Sequence, residues 1–271
     1  MRISAAFIAL ALATPVAAAQ RIASTNPCAD SILMEVADPR QIVAISHYSQ
    51  DPRSSSISRA QAQRFRSTSG TAEELVALRP SMVIADTLMA PATVQALRRM
   101  GIPLVQLPVP ESFAQNRAQV AVIAAAVGHP ERGTALNRRI DAAVAATRVT
   151  RGTAIPILLW QGSGLVLGTG TLADALIRNI GFTNRSPDYG FGKWGMLSLE
   201  SLIANPPELL LLGGPDADAG GGDRLLDHPA LRALKHRIAI EHVSSRLFRC
   251  GGPSIIAATE RLAKVRREIG R

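Results

Sequence analysis

The sequence has few aromatic residues and only two cysteines. Phenylalanine, tryptophan and tyrosine together make up 4% of the 271 residues. A protein that binds single-stranded nucleic acid needs aromatic side chains on which bases stack, beside a basic stripe. The formal net charge of +9 comes almost wholly from scattered arginines, such as the pair Arg98 and Arg99, which is typical of solvated helix faces. We therefore expect no nucleic-acid partner.

Motifs of common enzymes and metal sites are also missing. The sequence contains no Gly-x-Ser-x-Gly nucleophile elbow, no Walker phosphate loop and no His-Glu-x-x-His zinc motif. Its five histidines do not show the spacing of zinc ligands. Residues 168–173 match a dinucleotide-binding pattern, but they lie in the middle of the second half of the chain and favour a turn that begins a helix. The sequence thus predicts no catalytic residues, no cofactor and no metal ligands.

Residues 1–19 have the features of an export signal. Arg2 provides a positive charge, residues 3–16 are mostly apolar, and Ala17–Ala19 fit a small-residue cleavage site. The apolar stretch is too short to span a bilayer. We therefore predict a periplasmic protein whose mature chain begins at Gln20, and a buried first helix is the alternative.

Apolar, strand-like runs alternate with helical patterns in both halves of the chain. The predicted strands lie at 21–25, 41–45, 82–85 and 104–107, and then at 155–160, 164–167, 209–212 and 238–243. Such alternation is typical of parallel strands with crossover helices. Between the halves, residues 112–147 show only alanine-rich helical periodicity, with a break at Gly128–Pro130. We predict an α/β fold of two Rossmann-like lobes, 20–112 and 150–271, joined by a helical connector over 113–149.

A ten-residue segment occurs twice, which indicates that the two lobes are related. TAEELVALRP at 71–80 corresponds to SLESLIANPP at 198–207. In each copy a hydroxyl residue caps a short helix and proline ends it, and Thr71 with Glu74 predicts a capping box in the first. Glu73 and Glu200, both two residues after the cap, are predicted to be exposed. Attraction of acidic residues to the start of a helix dipole is the alternative reason for their presence.

Ligands of open α/β sheets bind beyond the carboxyl ends of the strands. In a protein with two lobes these ends face the cleft between them. The residues that follow predicted strands are Asn26, Cys28, His47, Tyr48, Asp86 and Thr87 in the first half, and Trp160, Gln161, 189–194 and 246–251 in the second. The segment 189–194 holds three aromatic residues among glycines and is hard to bury. For both tryptophans, burial in the core is the alternative.

These motifs together resemble the helical-backbone class of periplasmic binding proteins, which includes the receptors for cobalamin and ferric siderophores. The resemblance rests on RIASTNPCAD at 21–30, DPRQIVAISHYSQDP at 38–52 and the two Glu-x-Leu-[Val/Ile]-Ala-x-x-Pro copies, and it covers residues 20–271. It implies a monomeric substrate-binding component of an ABC importer, not an enzyme, that delivers a corrinoid or ferric siderophore to a permease dimer.

The resemblance also implies roles for particular residues. Glu73 and Glu200 would dock on the permease, and Tyr48 and Trp194 match aromatic residues that line the cleft in the cobalamin-binding branch. That branch has a further tryptophan before the first glutamate motif, where this chain has Ser67–Ser69. Its disulfide also lies within the second lobe.

The predicted ligand is a planar or aromatic metal chelate. Its predicted contacts are Asn26, His47, Tyr48, Trp160, Tyr189, Phe191, Trp194, Arg246 and Arg249. The aromatic side chains would provide contact area, and the arginines would bind carboxylate or phosphate groups.

Cys28 and Cys250 belong to different predicted lobes, and both follow strand ends at the cleft. They form a disulfide, contact the metal of the ligand as thiolates, or remain unpaired. For the whole protein two other functions stay open. One is an exported enzyme or metal-handling protein of the related chelatase-like fold, and the other is an adhesion or signalling module without a small ligand.

Overall fold

Two separate β-sheets organise the chain. The computed structural model describes residues 20–161, 164–214, 228–234 and 236–269, so the predicted export signal at 1–19 lies outside the described residues. No helix in the described ranges is long and apolar enough to cross a membrane.

The first lobe contains five parallel strands in the order β3-β2-β1-β4-β5. The strands are β1 Ile22–Ser24, β2 Ile42–Ser46, β3 Ser67–Thr68, β4 Met82–Asp86 and β5 Leu104–Leu107. The helices are α1 Pro27–Val36, α2 Arg59–Ala62, α3 Ala72–Ala77 and α4 Pro91–Arg99. Strand β4, which lies between β1 and β5, is an almost continuous buried apolar run, as expected of a parallel sheet with helices on both faces.

The second lobe contains six described strands in the order β11-β10-β6-β7-β9, with β8 paired to the start of β6. The strands are β6 Ile155–Gln161, β7 Leu165–Leu167, β8 Phe182–Asn184, β9 Trp194–Met196, β10 Leu209–Gly214 and β11 Ala239–Ser244. The helices are α7 Leu172–Asn179, α8 Leu199–Ala204, α9 Pro229–Leu234, α10 Arg246–Arg249 and α11 Ser254–Ile269. The predicted α/β class with two lobes is confirmed.

Helices α5 Phe113–Ala126 and α6 Pro130–Ala146 lie between the two sheets in the sequence. They pack closely because Gly133 has no side chain, since a Cβ atom there would lie 2.4 Å from Cβ of Ala124. The Arg139 guanidinium binds Glu35 of α1 at 2.8 Å, which ties α6 to the first lobe. On the other side the buried Asn116 of α5 accepts a hydrogen bond of 2.6 Å from the backbone N–H of Gly252, so the connector also holds the second lobe.

A disulfide joins Cys28 at the start of α1 to Cys250 just before α11. Of the three possibilities for these cysteines, the structure contains the disulfide, and the metal-bound thiolates and unpaired thiols are set aside. The bond connects residues 222 positions apart and crosses between the lobes, so it removes a large amount of conformational freedom from the unfolded chain.

We expect the disulfide to contribute substantially to stability. Thiol titration of the denatured, unreduced protein should find no free thiol. The variant Cys28→Ser/Cys250→Ser should lose about 2–5 kcal/mol of unfolding free energy because its unfolded chain is less restricted. Two free thiols in the wild-type protein, or equal stability of the variant, would contradict the bond.

Candidate ligand-binding cleft

A cleft of about 790 Å³ lies between the two lobes. This volume is within the range of roughly 300–1,000 Å³ that small-molecule sites occupy. Its lining includes residues at the carboxyl ends of β4, β5, β6 and β10. These residues are Asp86, Leu107, Gln161 and Gly213. The cleft therefore lies at the carboxyl ends of strands in both sheets, where ligands of open α/β sheets bind.

Exposed apolar side chains stand on both sides of the cleft. Leu88 is 85% and Val109 59% exposed in the first lobe, and Trp194 is 55% exposed in the second. Val109 lies between two prolines that follow β5, which fix the backbone of this wall. Large apolar groups left in water on facing walls indicate a surface that contacts a partly apolar ligand.

Cationic side chains come mainly from the second lobe. Arg249 lines the cleft, and its guanidinium forms no hydrogen bond or ion pair with the described residues. Partial desolvation by the cleft wall lowers the pKa of Arg249, against the opposite effect of the Asp51 carboxylate. Asp51 itself is bound to Arg53 at 3.1 Å. Arg249 is therefore a cation available to an anionic group.

Polar contacts between described residues join the lobes around the cleft. Lys193 Nζ lies 2.5 Å from Glu111 Oε1, and the Ser56 hydroxyl donates a hydrogen bond of 2.8 Å to the backbone oxygen of Arg246. Together with the disulfide, they hold the walls of the cleft in a defined relative position.

The sequence model of the family described as "Periplasmic binding protein" matches residues 22–239, which is most of the chain. The chain belongs to the periplasmic binding protein family. A comparison with curated proteins gives no significant match.

Solved structures share the fold of this periplasmic binding protein. The apo heme-binding protein RhuT from Roseiflexus sp. RS-1 is 24% identical with a TM-score of 0.72, and the match covers 91% of this chain and 99% of RhuT. The heme-binding protein HutB of Vibrio cholerae is 20% identical with a TM-score of 0.71, over 92% and 99% of the two chains. The vitamin B12-binding protein BtuF of Vibrio cholerae is 16% identical with a TM-score of 0.69, over 93% and 98%.

The structure of the binding protein brings part of the predicted contact set together. The residues predicted from strand ends that line the cleft are Asn26, Cys28, Asp86, Gln161, Trp194, Arg246, Phe248, Arg249, Cys250 and Gly251. The described lining does not include His47, Tyr48, Trp160, Tyr189 or Phe191.

The structure does not bring Trp160 to the cleft lining. Its side chain is completely buried, and its indole N–H donates to the backbone oxygen of Leu197 at 3.1 Å. Side chains alternate between the two faces of a strand, and Trp160 shares its core cluster with Leu158. Gln161, one position further, is the residue of β6 that lines the cleft.

Tyr189 and Phe191 also lie outside the described lining of the cleft. The Tyr189 hydroxyl donates to the backbone oxygen of Asn205 at 2.6 Å. The ring of Phe191 covers Gly195, where a Cβ atom would lie 2.0 Å from the ring. Both rings pack against the core of the second lobe, so of the three aromatic residues in this segment Trp194 remains for the ligand.

His47 and Tyr48 lie on a 3-10 helix at His47–Gln50 that follows β2. Both side chains are exposed, and their rings are 4.0 Å apart. His47 Nδ1 is 3.2 Å from the backbone oxygen of Thr68. Neither residue belongs to the described lining of the cleft, so a contact of His47 or Tyr48 with the ligand stays a prediction.

Buried Asp30 of α1 holds this 3-10 helix in place. Its Oδ2 accepts hydrogen bonds from the Ser46 N–H at 2.9 Å and the Ser49 hydroxyl at 2.6 Å. Burial raises the pKa of Asp30 to about 7, although these hydrogen bonds act in the opposite direction. The carboxyl group is thus mostly protonated in mildly acidic solution.

The sequence analysis missed several lining residues. They are Pro52–Ser54, Leu88, Pro108–Glu111, Gln119, Leu165, Leu167 and 171–173. The Pro-x-Pro segment directly after β5 was a usable signal, because a rigid turn at a strand end lies at the binding edge. Gln119 and Leu88 carry no such local signal.

Glu73 and Glu200 occupy matching positions in the first turns of α3 and α8, and both are exposed. Thr71 and Ser198 cap these helices through their side chains. The expected capping box is incomplete, since the Glu74 carboxylate accepts from the Thr68 hydroxyl at 2.8 Å and the Ser69 N–H at 2.7 Å instead. These two bonds lower the pKa of Glu74.

The raised pKa of Asp30 predicts a specific dependence of stability on pH. In the unfolded chain Asp30 ionises near pH 3.9, whereas in the folded protein it keeps its proton up to about pH 7. The stability that this group contributes is complete below pH 4 and is lost as pH rises towards 7. Relative to wild type, Asp30→Asn should therefore gain on the order of 2 kcal/mol between pH 5 and pH 8, measured by denaturant unfolding.

Asp51→Asn is the matched control, because hydrogen bonds from Arg53 lower the pKa of Asp51 and it is ionised at both pH values. Its stability relative to wild type should not change between pH 5 and pH 8. If Asp30→Asn behaves in the same way, Asp30 has an ordinary pKa.

Proposed function

We propose that this protein is the substrate-binding component of an ABC importer, and that it captures a metal chelate in the cleft between its lobes. The observation that carries this proposal is the combination, in one cleft, of exposed apolar walls with Arg249, whose guanidinium has no hydrogen bond or ion pair to the described residues. The predicted export signal places the mature protein in the periplasm, where such a receptor meets its ligand.

The apolar walls favour a ligand with a broad, weakly polar face. Leu88 and Val109 offer aliphatic surface from the first lobe, and Trp194 offers a rigid ring from the second. A large aromatic side chain provides contact area at little cost in conformational entropy. The structurally similar proteins are named for binding heme or vitamin B12. Both are large metal chelates with such faces, which supports this class for the present chain.

The exposed guanidinium of Arg249 favours an anionic group on the ligand. It is partly desolvated and has no hydrogen-bonded counter-ion among the described residues. A carboxylate or phosphate that binds it bidentately would restore the lost hydrogen bonds. The cleft therefore suits a chelate that carries at least one acidic substituent.

The proposed partner is a permease dimer with two-fold symmetry. Glu73 and Glu200 present one exposed carboxylate from the same helical position in each lobe. Two matched anchors fit a symmetric docking surface, where charge pairs set register and association more than affinity for the ligand. The protein is proposed to act as a monomer on this dimer.

Titration with chelates should test the cleft directly. Binding of a metal chelate such as hemin, cyanocobalamin or a ferric hydroxamate siderophore should quench the fluorescence of Trp194. Trp194→Ala should weaken binding about tenfold or more through loss of contact area, and Arg249→Gln should weaken binding of acidic chelates by a similar factor.

Met196→Ala is the matched control for Trp194, because Met196 lies on the same strand, is 63% exposed and is outside the cleft lining. It should bind chelates as wild type does. If Trp194→Ala and Met196→Ala bind every chelate equally well, the cleft is not the binding site.

Docking should be separable from ligand binding. Glu73→Arg/Glu200→Arg should abolish stimulation of the ATPase activity of the cognate transporter in proteoliposomes, because both anchors become repulsive towards a basic permease surface. Its affinity for the chelate should stay within about twofold of wild type, since neither carboxylate lines the cleft.

Glu131→Arg/Glu260→Arg changes the net charge equally at two other exposed positions and should still stimulate the transporter. Equal loss of stimulation in both double variants would show that total charge, not these anchors, matters.

A further inference from the structure

Gln161 at the end of β6 lines the cleft but is only 7% exposed. Its amide nitrogen Nε2 is fully enclosed and has no hydrogen-bond partner among the described residues. Its amide oxygen Oε1 also forms no hydrogen bond with the described residues. Since Nε2 is enclosed, Oε1 is the part of the amide that the cleft can reach. Oε1 is not among the enclosed atoms, so it is an acceptor that a donor from outside the chain can reach.

The neighbouring strand is adapted to this side chain. Gly213 of β10 is the residue paired with Gln161 across the sheet, and it also lines the cleft. A Cβ atom at Gly213 would lie 2.4 Å from Cδ, Nε2 and Oε1 of Gln161. The amide therefore lies flat across a strand position that only glycine leaves open.

A second glutamine in the cleft wall shows the contrast. Gln119 of α5 lines the same cleft, but its amide donates to the backbone oxygen of Pro108. Its hydrogen-bonding capacity is used within the protein to hold the proline-rich wall. The Gln161 amide forms no such hydrogen bond with the described residues.

We propose that Gln161 determines ligand specificity by accepting a hydrogen bond from the chelate through Oε1. The ligand would then carry N–H or O–H donors on its periphery, as carboxamide-bearing corrinoids and amide-bearing siderophores do, beside the acidic group that Arg249 binds. A tetrapyrrole whose only polar substituents are ionised carboxylates offers no such donor. This inference rests on the proposed capture of a metal chelate and narrows its class.

The test compares three probes, cyanocobalamin, a ferric hydroxamate siderophore that carries amide N–H groups, and hemin, on wild type and variants by calorimetric titration. A donor-bearing probe should bind wild type. Its affinity should fall about tenfold or more in Gln161→Leu, which cannot accept a hydrogen bond. Gln161→Glu keeps an acceptor oxygen and should stay within about threefold of wild type.

Two further variants distinguish recognition from general damage to the cleft. Gly213→Ala should weaken the same probe as Gln161→Leu does, because its methyl group displaces the amide. Gln119→Leu should bind as wild type does, because that amide is already occupied by Pro108. Thermal unfolding of each variant shows whether the fold is intact.

The outcomes separate this inference from the proposed function. Equal binding by Gln161→Leu and wild type overturns the role of Gln161. Binding of hemin alone, or loss of affinity in Gln161→Glu as large as in Gln161→Leu, overturns the donor assignment while capture of a chelate stands. If no chelate binds wild-type protein, the proposed function fails, and this inference fails with it.

Discussion

The junction at the floor of the cleft is the constraint on which the rest of this structure depends. The two sheets share no strand, so the distance between the cleft walls is set by what holds the lobes together. Asn116 binds the backbone of Gly252, and the disulfide from Cys28 to Cys250 lies beside this bond in sequence. A side chain at Gly251 would not fit, because its Cβ atom would lie 2.2 Å from Oδ1 of Asn116.

A junction of this kind favours a cleft that exists before the ligand arrives. Closing two mobile lobes around a ligand costs conformational entropy, whereas walls already in position reduce that cost. The contacts Lys193–Glu111 and Ser56–Arg246 add further attachment at the cleft. The side chain of Leu88 is 85% exposed and therefore contributes little to the stability of the fold. The surface that it forms is better explained as a binding surface.

Local sequence patterns predicted most of the fold because its central strands and its helix ends depend on local interactions. Asn26 followed by proline begins α1 as expected, with its side chain accepting from the N–H of Cys28 at 2.8 Å. Strands β3, β8 and β9 were missed, since each has two or three residues and forms through pairing with a neighbour at a distance in sequence. Such short segments carry no periodicity of their own.

The candidate site was predicted only in part, because the position of a residue at a strand end does not determine the direction in which its side chain points. The carboxyl ends of the predicted strands indicated the right edge of each sheet. Neighbouring residues of a strand point to opposite faces, however, so Gln161 faces the cleft and Trp160 does not. Tyr189 and Phe191 were misplaced because their packing partners, Asn205 and Gly195, are set by the fold of the whole lobe.

The two lobes contribute different kinds of interaction to the cleft. In the first lobe two polar groups of the lining are already engaged, since Asp86 accepts from the N–H of Leu88 at 2.7 Å and Arg53 binds Asp51 at 3.1 Å. In the second lobe Gln161 and Arg249 have no hydrogen bonds to the described residues. Apolar contact tolerates small changes in wall position, whereas hydrogen bonds require defined distances and angles. Because Gln161 and Arg249 belong to the same lobe, a small rotation of the other lobe would alter contact area but leave these two polar contacts intact.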